Sequence, residues 1–248
     1  MYTNNTLNNK FIAYAHRGAS HYCPENTLMS FYMGVQMGAN GIETDVQKTK
    51  DGILVLFHDD TLERVTGEKG SVSDYTHQEL KAFNVKKEAL YDKIPTFEDF
   101  LEHFAHRDIT FAIELKVPNI EKEVSELIYK YGIQEKSVVT SFDFDYIKKF
   151  KEIAPSIRTG YLTVEVTNDL LNTLSSLGVE EICPKGNRIT SADVEKWHSM
   201  GFNVRAWGIS DTTVMKKVYD TGADGMTVNF PDLLLDYIFA NKGEEKCQ

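Results

Sequence analysis

"FIAYAHRGAS", residues 11–20, begins as an apolar run and ends on a histidine and an arginine set against a glycine. Cores exclude both of those residue types, so a strand built for burial finishes on them only if its end opens onto something. In a (βα)8 barrel the C-terminal ends of the parallel strands surround the active mouth, and His16 and Arg17 would leave the core there. The competing reading is a capping histidine beside a solvated arginine.

Working outward, β-branched runs recur at 41–46, 110–115, 137–141, 158–162, 180–184, 203–208 and 225–229, which with 11–16 makes eight strand candidates. Most pairs are separated by one segment of helical period, such as "NTLMSFYMGVQMG" (26–38) or "ADVEKWHSMG" (192–201), the latter ending at a plausible C-cap glycine. Strands alternating with covering helices predict an α/β fold, a (βα)8 TIM barrel. One connection breaks the rhythm. After "GIETDVQ" (41–47) come the turn "KDG" and a second apolar run, "ILVLFHDD" (53–60), then a long polar stretch. A hairpin followed by an insertion over about 60–95 fits this text, and the insertion is expected to cap the mouth. The 248 residues are read as a single barrel domain spanning 1–248.

The net charge of −10 disfavours nucleic acid and anionic membrane, since both are held by basic surface. Three scattered cysteines, Cys23, Cys183 and Cys247, form neither a CxxC pair nor a disulfide framework and suit a reducing compartment. "MYTNNTLNNK" at the start lacks a signal-peptide core, and no run of about 18 apolar residues occurs. The expectation is a soluble, cytoplasmic protein with no stable membrane association.

Chemistry-bearing residues cluster at the strand ends. Glu43 and Asp45 stand two apart in "GIETDVQ", so a strand's period of two points them to one face. If that face is inward, the two charges repel and lose hydration, and a cation is the economical remedy; if outward, they are a solvated edge. "FAIELKV" (111–117) repeats the spacing with Glu114 and Lys116, and is read with Phe111 and Ile113 on the same face as that pair. Glu114 would complete a metal shell and Lys116 would meet an anion, or the two are a surface pair of little energetic worth. "LFHDD" (56–60) adds His58 and Asp59, which in isolation read equally well as a polar turn.

Together these residues fit the hydrolysis of a phosphodiester. Two histidines supply base and acid near neutral pH. Arg17 offers a planar fork and Lys116 a point charge to phosphate oxygens. Three carboxylates select a hard divalent cation, Mg²⁺ or Ca²⁺, over zinc.

The same text resembles a known family. "AHRGAS", "PENT" (24–27), "GIETDVQKTKDGILVLFHDDTLERVTG", "DYTHQEL", "IPTFEDFL", "IELK" and "WHSMGFNVRAW" are similar to the glycerophosphodiester phosphodiesterases of bacterial, cytoplasmic type, over nearly the whole chain. The resemblance implies hydrolysis of a small-molecule glycerophosphodiester to sn-glycerol 3-phosphate and an alcohol. It implies His16 and His58 as the acid/base pair, Arg17 and Lys116 as phosphate binders, and Glu43, Asp45 and Glu114 as metal ligands. It further implies that Glu25 orients the first loop and that Trp207 packs substrate, against the plainer readings of a helix-start acid and a core tryptophan. The chain departs from the family at Gly208, where a threonine or serine is usual, and at "TVNFP" (227–231), where Asn229 stands near the usual aspartate. Two alternatives remain. A sphingomyelinase D-like phospholipase shares the barrel and the two-histidine logic, and a catalytically silent binding barrel would lack turnover altogether.

Overall fold

Alternation within each strand sorts the side chains into a helix-facing set and an inward set, and that division shapes the molecule. The computed structural model describes residues 11–244; "MYTNNTLNNK" apart from that range, the last four residues and therefore Cys247 lie outside them. The chain begins β1 (Ile12–His16), α1 (Leu28–Gln36), β2 (Gly41–Lys48), β3 (Leu54–Leu56), α2 (Glu63–Thr66), α3 (His77–Leu80), β4 (Val85–Lys87), β5 (Leu90–Asp92) and α4 (Phe97–Phe104). It continues β6 (Thr110–Leu115), α5 (Glu121–Lys130), β7 (Ser137–Ser141), α6 (Phe144–Ile153), β8 (Arg158–Thr163) and α7 (Asn168–Leu177). It ends β9 (Glu181–Pro184), α8 (Ser191–Ser199), β10 (Asn203–Ala206), α9 (Thr212–Asp220), β11 (Gly225–Val228) and α10 (Pro231–Glu244).

The eight parallel strands neighbour one another in the order β1, β11, β10, β9, β8, β7, β6, β2, and β2 pairs back with β1 to close the barrel. Every strand read from the sequence is present, with ends moved by a residue or two. The seventh stops at Ala206 rather than 208, because Gly208 adopts a left-handed φ of 70° and turns the chain, so Trp207 stands just past the strand. The eighth stops at Val228, leaving Asn229 in the following loop.

Helices start where side chains satisfy the exposed amides. Thr96 with Asp99 caps α4 and Thr190 with Asp193 caps α8, each as a reciprocal capping box, while Asp143 and Asp211 cap α6 and α9. The apolar cores lie between strands and helices. Phe111 and Ile113 belong there, with Phe100, Phe104, Val124 and Ile128. They therefore face opposite to Glu114, which corrects the one-face reading: residues an odd number apart on a strand cannot share a face.

The inward set carries most of the polar side chains, with Leu162 among its apolar members. Register pairs His16 with Glu43, Asp45 with Glu114 and Glu114 with Thr140, so these residues converge at the C-terminal end of the barrel. Deeper, Tyr14, Glu181, Cys183 and Arg205 occupy positions that branched apolar residues fill in most barrels.

β3 runs antiparallel to β2 as a hairpin, and residues 60–95 fold around their own small core of Leu62, Val65, Val72, Leu80, Val85 and Ile94. None of the residues lining the mouth cavity comes from that segment. The segment expected to cap the mouth thus contributes no residue to the cavity lining; its own core takes in Val55 and Phe57, while Leu90 and Tyr91 stay exposed.

Candidate active site

The loop after β1 is folded tightly enough to fix the direction of Arg17. Arg17 and Asn26 both take left-handed backbone (φ 57° and 54°), a conformation in which non-glycine residues are uncommon. Between them Gly18 packs so closely on α1 that a Cβ would stand 2.4 Å from Ser30. The result aims Arg17 back across the mouth. Its Nη1 donates to Glu25 Oε1 (2.8 Å), and its Nε lies 3.2 Å from Asp45 Oδ2 without the alignment of a hydrogen bond.

Glu43, Asp45 and Glu114 are buried and bring one oxygen each within 4.8 Å of the others. The Asn26 amide donates to Asp45 Oδ2 (2.8 Å) while its carbonyl accepts from Thr44 (2.9 Å), so the PENT loop fastens the carboxylate from behind. Lys116 reaches Glu114 (2.9 Å) and lies 3.9 Å from Asp45 Oδ1.

Three buried acids do not ionise alike. Burial raises all three, but the charges of Arg17, His58 and Lys116 overcome it at Asp45 and hold that carboxyl at about 2. Burial and the neighbouring Asp45 charge push Glu114 up to about 7 and Glu43 well above its usual range. The cluster therefore holds protons at neutral pH unless a cation replaces them. Asp45 Oδ1 is buried with no hydrogen-bond partner among the described residues, and the donor set is all oxygen. These residues can hold a divalent cation.

Both histidines have one ring nitrogen fixed. His16 Nδ1 donates to Asn229 Oδ1 (2.6 Å), which also accepts from Ser20 Oγ (3.0 Å), so Nε2 faces the cavity with its lone pair, 3.8 Å from Glu43. Burial and the charge of Arg17 lower His16 to about 4, leaving it neutral at pH 7. His58 Nδ1 meets Asp59 Oδ1 at 2.7 Å, and His58 lines the same cavity.

That cavity, of about 180 Å³, is also lined by Arg17, Glu43, Glu114, Thr140, Phe142, Leu162, Arg205, Trp207 and Thr227. Trp207 forms one wall, held by its Nε1 on the Thr163 carbonyl (3.1 Å) and by Phe142 edge-on at 4.9 Å. A mouth with cations and paired carboxylates on one side and an aromatic wall on the other suits a small phosphate ester.

The model of the glycerophosphoryl diester phosphodiesterase family matches residues 16–233. The chain belongs to that family. A glycerophosphodiester phosphodiesterase of Bacillus altitudinis is 34% identical over 88% of this chain and 94% of its own. One from Caldanaerobacter subterraneus is 29% identical over 92% and 98%. Among solved structures, a phosphodiesterase of Oleispira antarctica in complex with the product sn-glycerol-3-phosphate superposes with a TM-score of 0.85 at 27% identity, covering 92% of this chain and 97% of that one. The chain is thus an enzyme of the phosphoric diester hydrolase class, with the barrel of its relatives. No helix among the described residues is long and apolar enough to cross a membrane.

All nine residues singled out in the sequence of this phosphodiesterase lie at the C-terminal end of the barrel: His16, Arg17, Glu25, Glu43, Asp45, His58, Glu114, Lys116 and Trp207. Asp59, noted beside His58 in the sequence, is found holding its ring. Three others escaped notice, of which Asn26 stands inside the quoted PENT, so adjacency could have signalled it. Arg64 and Arg205 also stand inside stretches that resemble the family, but nothing local marks their partners. Arg64 Nε and Nη2 grip Asp59 (2.5 and 3.0 Å) while Nη1 and Nη2 grip Glu25 (2.8 and 2.7 Å). One guanidinium from the insertion thereby ties the carboxylate behind His58 to the carboxylate behind Arg17.

Proposed function

We propose that the chain, acting as one catalytic domain over residues 1–248, hydrolyses glycerophosphodiesters to sn-glycerol 3-phosphate and an alcohol in a reaction that requires Mg²⁺ or Ca²⁺. The observation that carries this reading is the buried Glu43, Asp45 and Glu114 cluster, with its unpartnered Asp45 oxygen, in the same mouth as two histidines that each have one nitrogen fixed.

Glu43, Asp45 and Glu114 hold the cation, which when bound neutralises phosphoryl charge and polarises oxygens near it. Arg17 and Lys116 bind the remaining phosphate oxygens. His16, neutral and with Nε2 bare, takes the proton of the glycerol 2-hydroxyl; the incoming anionic phosphate strengthens it as a base. That hydroxyl is tethered next to the phosphorus, so its attack has an effective molarity that water lacks. His58 gives its Nε2 proton to the departing alcohol. The five-membered cyclic phosphate is then opened by water, with the two histidines exchanging roles. Trp207 packs the glycerol carbons.

The test is a coupled assay for glycerol 3-phosphate release from glycerophosphocholine, glycerophosphoethanolamine and glycerophosphoglycerol. Release from at least one is expected, and release from none overturns the reading. Cleavage of a lysophospholipid or sphingomyelin instead would place the chain with the phospholipases D. For the nucleophile, 2-deoxyglycerophosphocholine should be inert. Cleavage at the parent's rate would make water the direct attacker.

Arg64 positions both halves of this machinery, so Arg64→Ala should lower kcat by about 10² through misplacement of reacting groups. Arg64→Lys should recover little, since an ammonium cannot span two carboxylates as a planar fork does. Steady-state kinetics decide: a change in KM alone would reduce Arg64 to a substrate contact. The location we propose is the cytoplasm, supported by the unpaired buried thiols of Cys23 and Cys183.

A further inference from the structure

Arg205 is a guanidinium in an unusual place. Its side chain is 2% exposed and sits inside the barrel, one inward position deeper than Trp207, yet it lines the mouth cavity. Nε donates to Glu181 (2.7 Å), Nη2 to the Cys183 sulfur (3.3 Å), and the group stands over the Tyr14 ring at 5.2 Å. Nη1 has no hydrogen-bond partner among the described residues. The Thr140 and Thr227 side chains, 1% and 3% exposed and in the same cavity, are likewise without a hydroxyl partner among the described residues. Gly160 makes room for this arrangement: a Cβ there would lie 3.0 Å from Thr140, 3.1 Å from Cys183 and 3.2 Å from Glu181.

Donors that line a cavity and make no hydrogen bond within the protein are free to meet a ligand oxygen there, which replaces the water they would otherwise bind. The chemistry of that oxygen follows from charge. Arg205 is already neutralised by Glu181, whereas the cations suited to phosphate, Arg17 and Lys116, stand with the carboxylate cluster. The floor therefore suits a neutral hydroxyl. Its depth identifies which one: the leaving alcohol varies and must depart through the mouth, so the closed end holds the part of the substrate common to all.

Resting on the reaction proposed above, we propose that Arg205, with Thr140 and Thr227, binds the terminal hydroxyl of the glycerol moiety, the one remote from phosphorus, and so selects glycerol esters over esters of less hydroxylated alcohols. Arg205 is a specificity-determining contact at the cavity floor.

The experiment compares glycerophosphocholine with its analogue in which that terminal hydroxyl is replaced by hydrogen, the 2-hydroxyl being kept. Wild type should prefer the parent in kcat/KM by about 10- to 100-fold, the worth of a hydrogen bond to a charged donor. Arg205→Gln should bring the ratio within about threefold by slowing the parent far more than the analogue. Calorimetry of sn-glycerol 3-phosphate against propane-1,2-diol phosphate should give the same loss of discrimination in affinity. Should breaking the ion pair with Glu181 prevent folding, Thr227→Val removes one hydroxyl at nearly constant volume and should lower the ratio severalfold. Equal losses on both substrates, or a wild-type ratio near one, would overturn the subsite and leave Arg205 as internal framework. Wild-type binding discrimination without turnover would instead fault the reaction while keeping the subsite.

Discussion

Chelation of divalent cations should abolish turnover, and Mg²⁺ or Ca²⁺ added back should restore it. The expectation rests on the protons that Glu114 and Glu43 retain without a cation. Glu114 titrates at about 7 in the folded chain against an ordinary 4.5, so the folded state binds its proton more tightly than the unfolded state. Stability of the metal-free protein from this group is thus greatest at low pH and is lost as pH rises from 4.5 through about 7; Glu43 extends the loss upward. A cation reverses the sign, since it binds the deprotonated cluster and displaces those protons. Its affinity should rise about tenfold per pH unit for each proton released. Thermal melts with and without 5 mM-scale metal would read this as a metal-induced Tm gain that is small at pH 6 and large at pH 8. Full activity in metal-free enzyme, or a gain independent of pH, would sink the assignment of the three acids.

His16→Ala and His58→Ala should each lower kcat by about 10² to 10⁴, the range of general acid/base catalysis, with melting curves close to wild type. The two variants should nevertheless differ. A glycerophosphodiester of p-nitrophenol has a leaving group that needs no proton, so it should restore much of the rate in His58→Ala and little in His16→Ala. Rescue of the reverse pattern would exchange the base and acid assignments. Near-normal turnover in either variant would return that histidine to a structural role, holding Asn229 in one case or Asp59 in the other.

The difference between what was and was not legible follows range of interaction. Strand positions follow from β-branched runs, and a strand's period of two brings Glu43 to Asp45 and Glu114 to Lys116 from text alone. Family resemblance then supplied roles that spacing could not, for Glu25 and Trp207. The one-residue slip over Phe111 and Ile113 exchanged core face for interior, the usual consequence of an odd offset. Arg205 was unreadable because its partner Glu181 lies on the adjacent strand, 24 residues earlier, and only register brings the two together. Arg64 was hidden by the irregular insertion, whose path depends on a small core assembled from scattered apolar residues. The same irregular path hides how the insertion meets the mouth: it adds no residue to the cavity lining and leaves Leu90 and Tyr91 exposed.

The hydrogen bond between His16 and Asn229 spans 213 residues, from the first barrel strand to the loop after the last, across the seam where β1 meets β11. During synthesis the carboxylates, Arg17 and His58 all emerge in the first half of the chain, whereas the residue that sets the His16 tautomer emerges almost at the end. Closing so long a loop is entropically the most demanding pairing in the fold. A growing polypeptide that has already assembled its acidic cluster therefore leaves the His16 ring unfixed until the ribosome has delivered the last barrel strand and the loop after it.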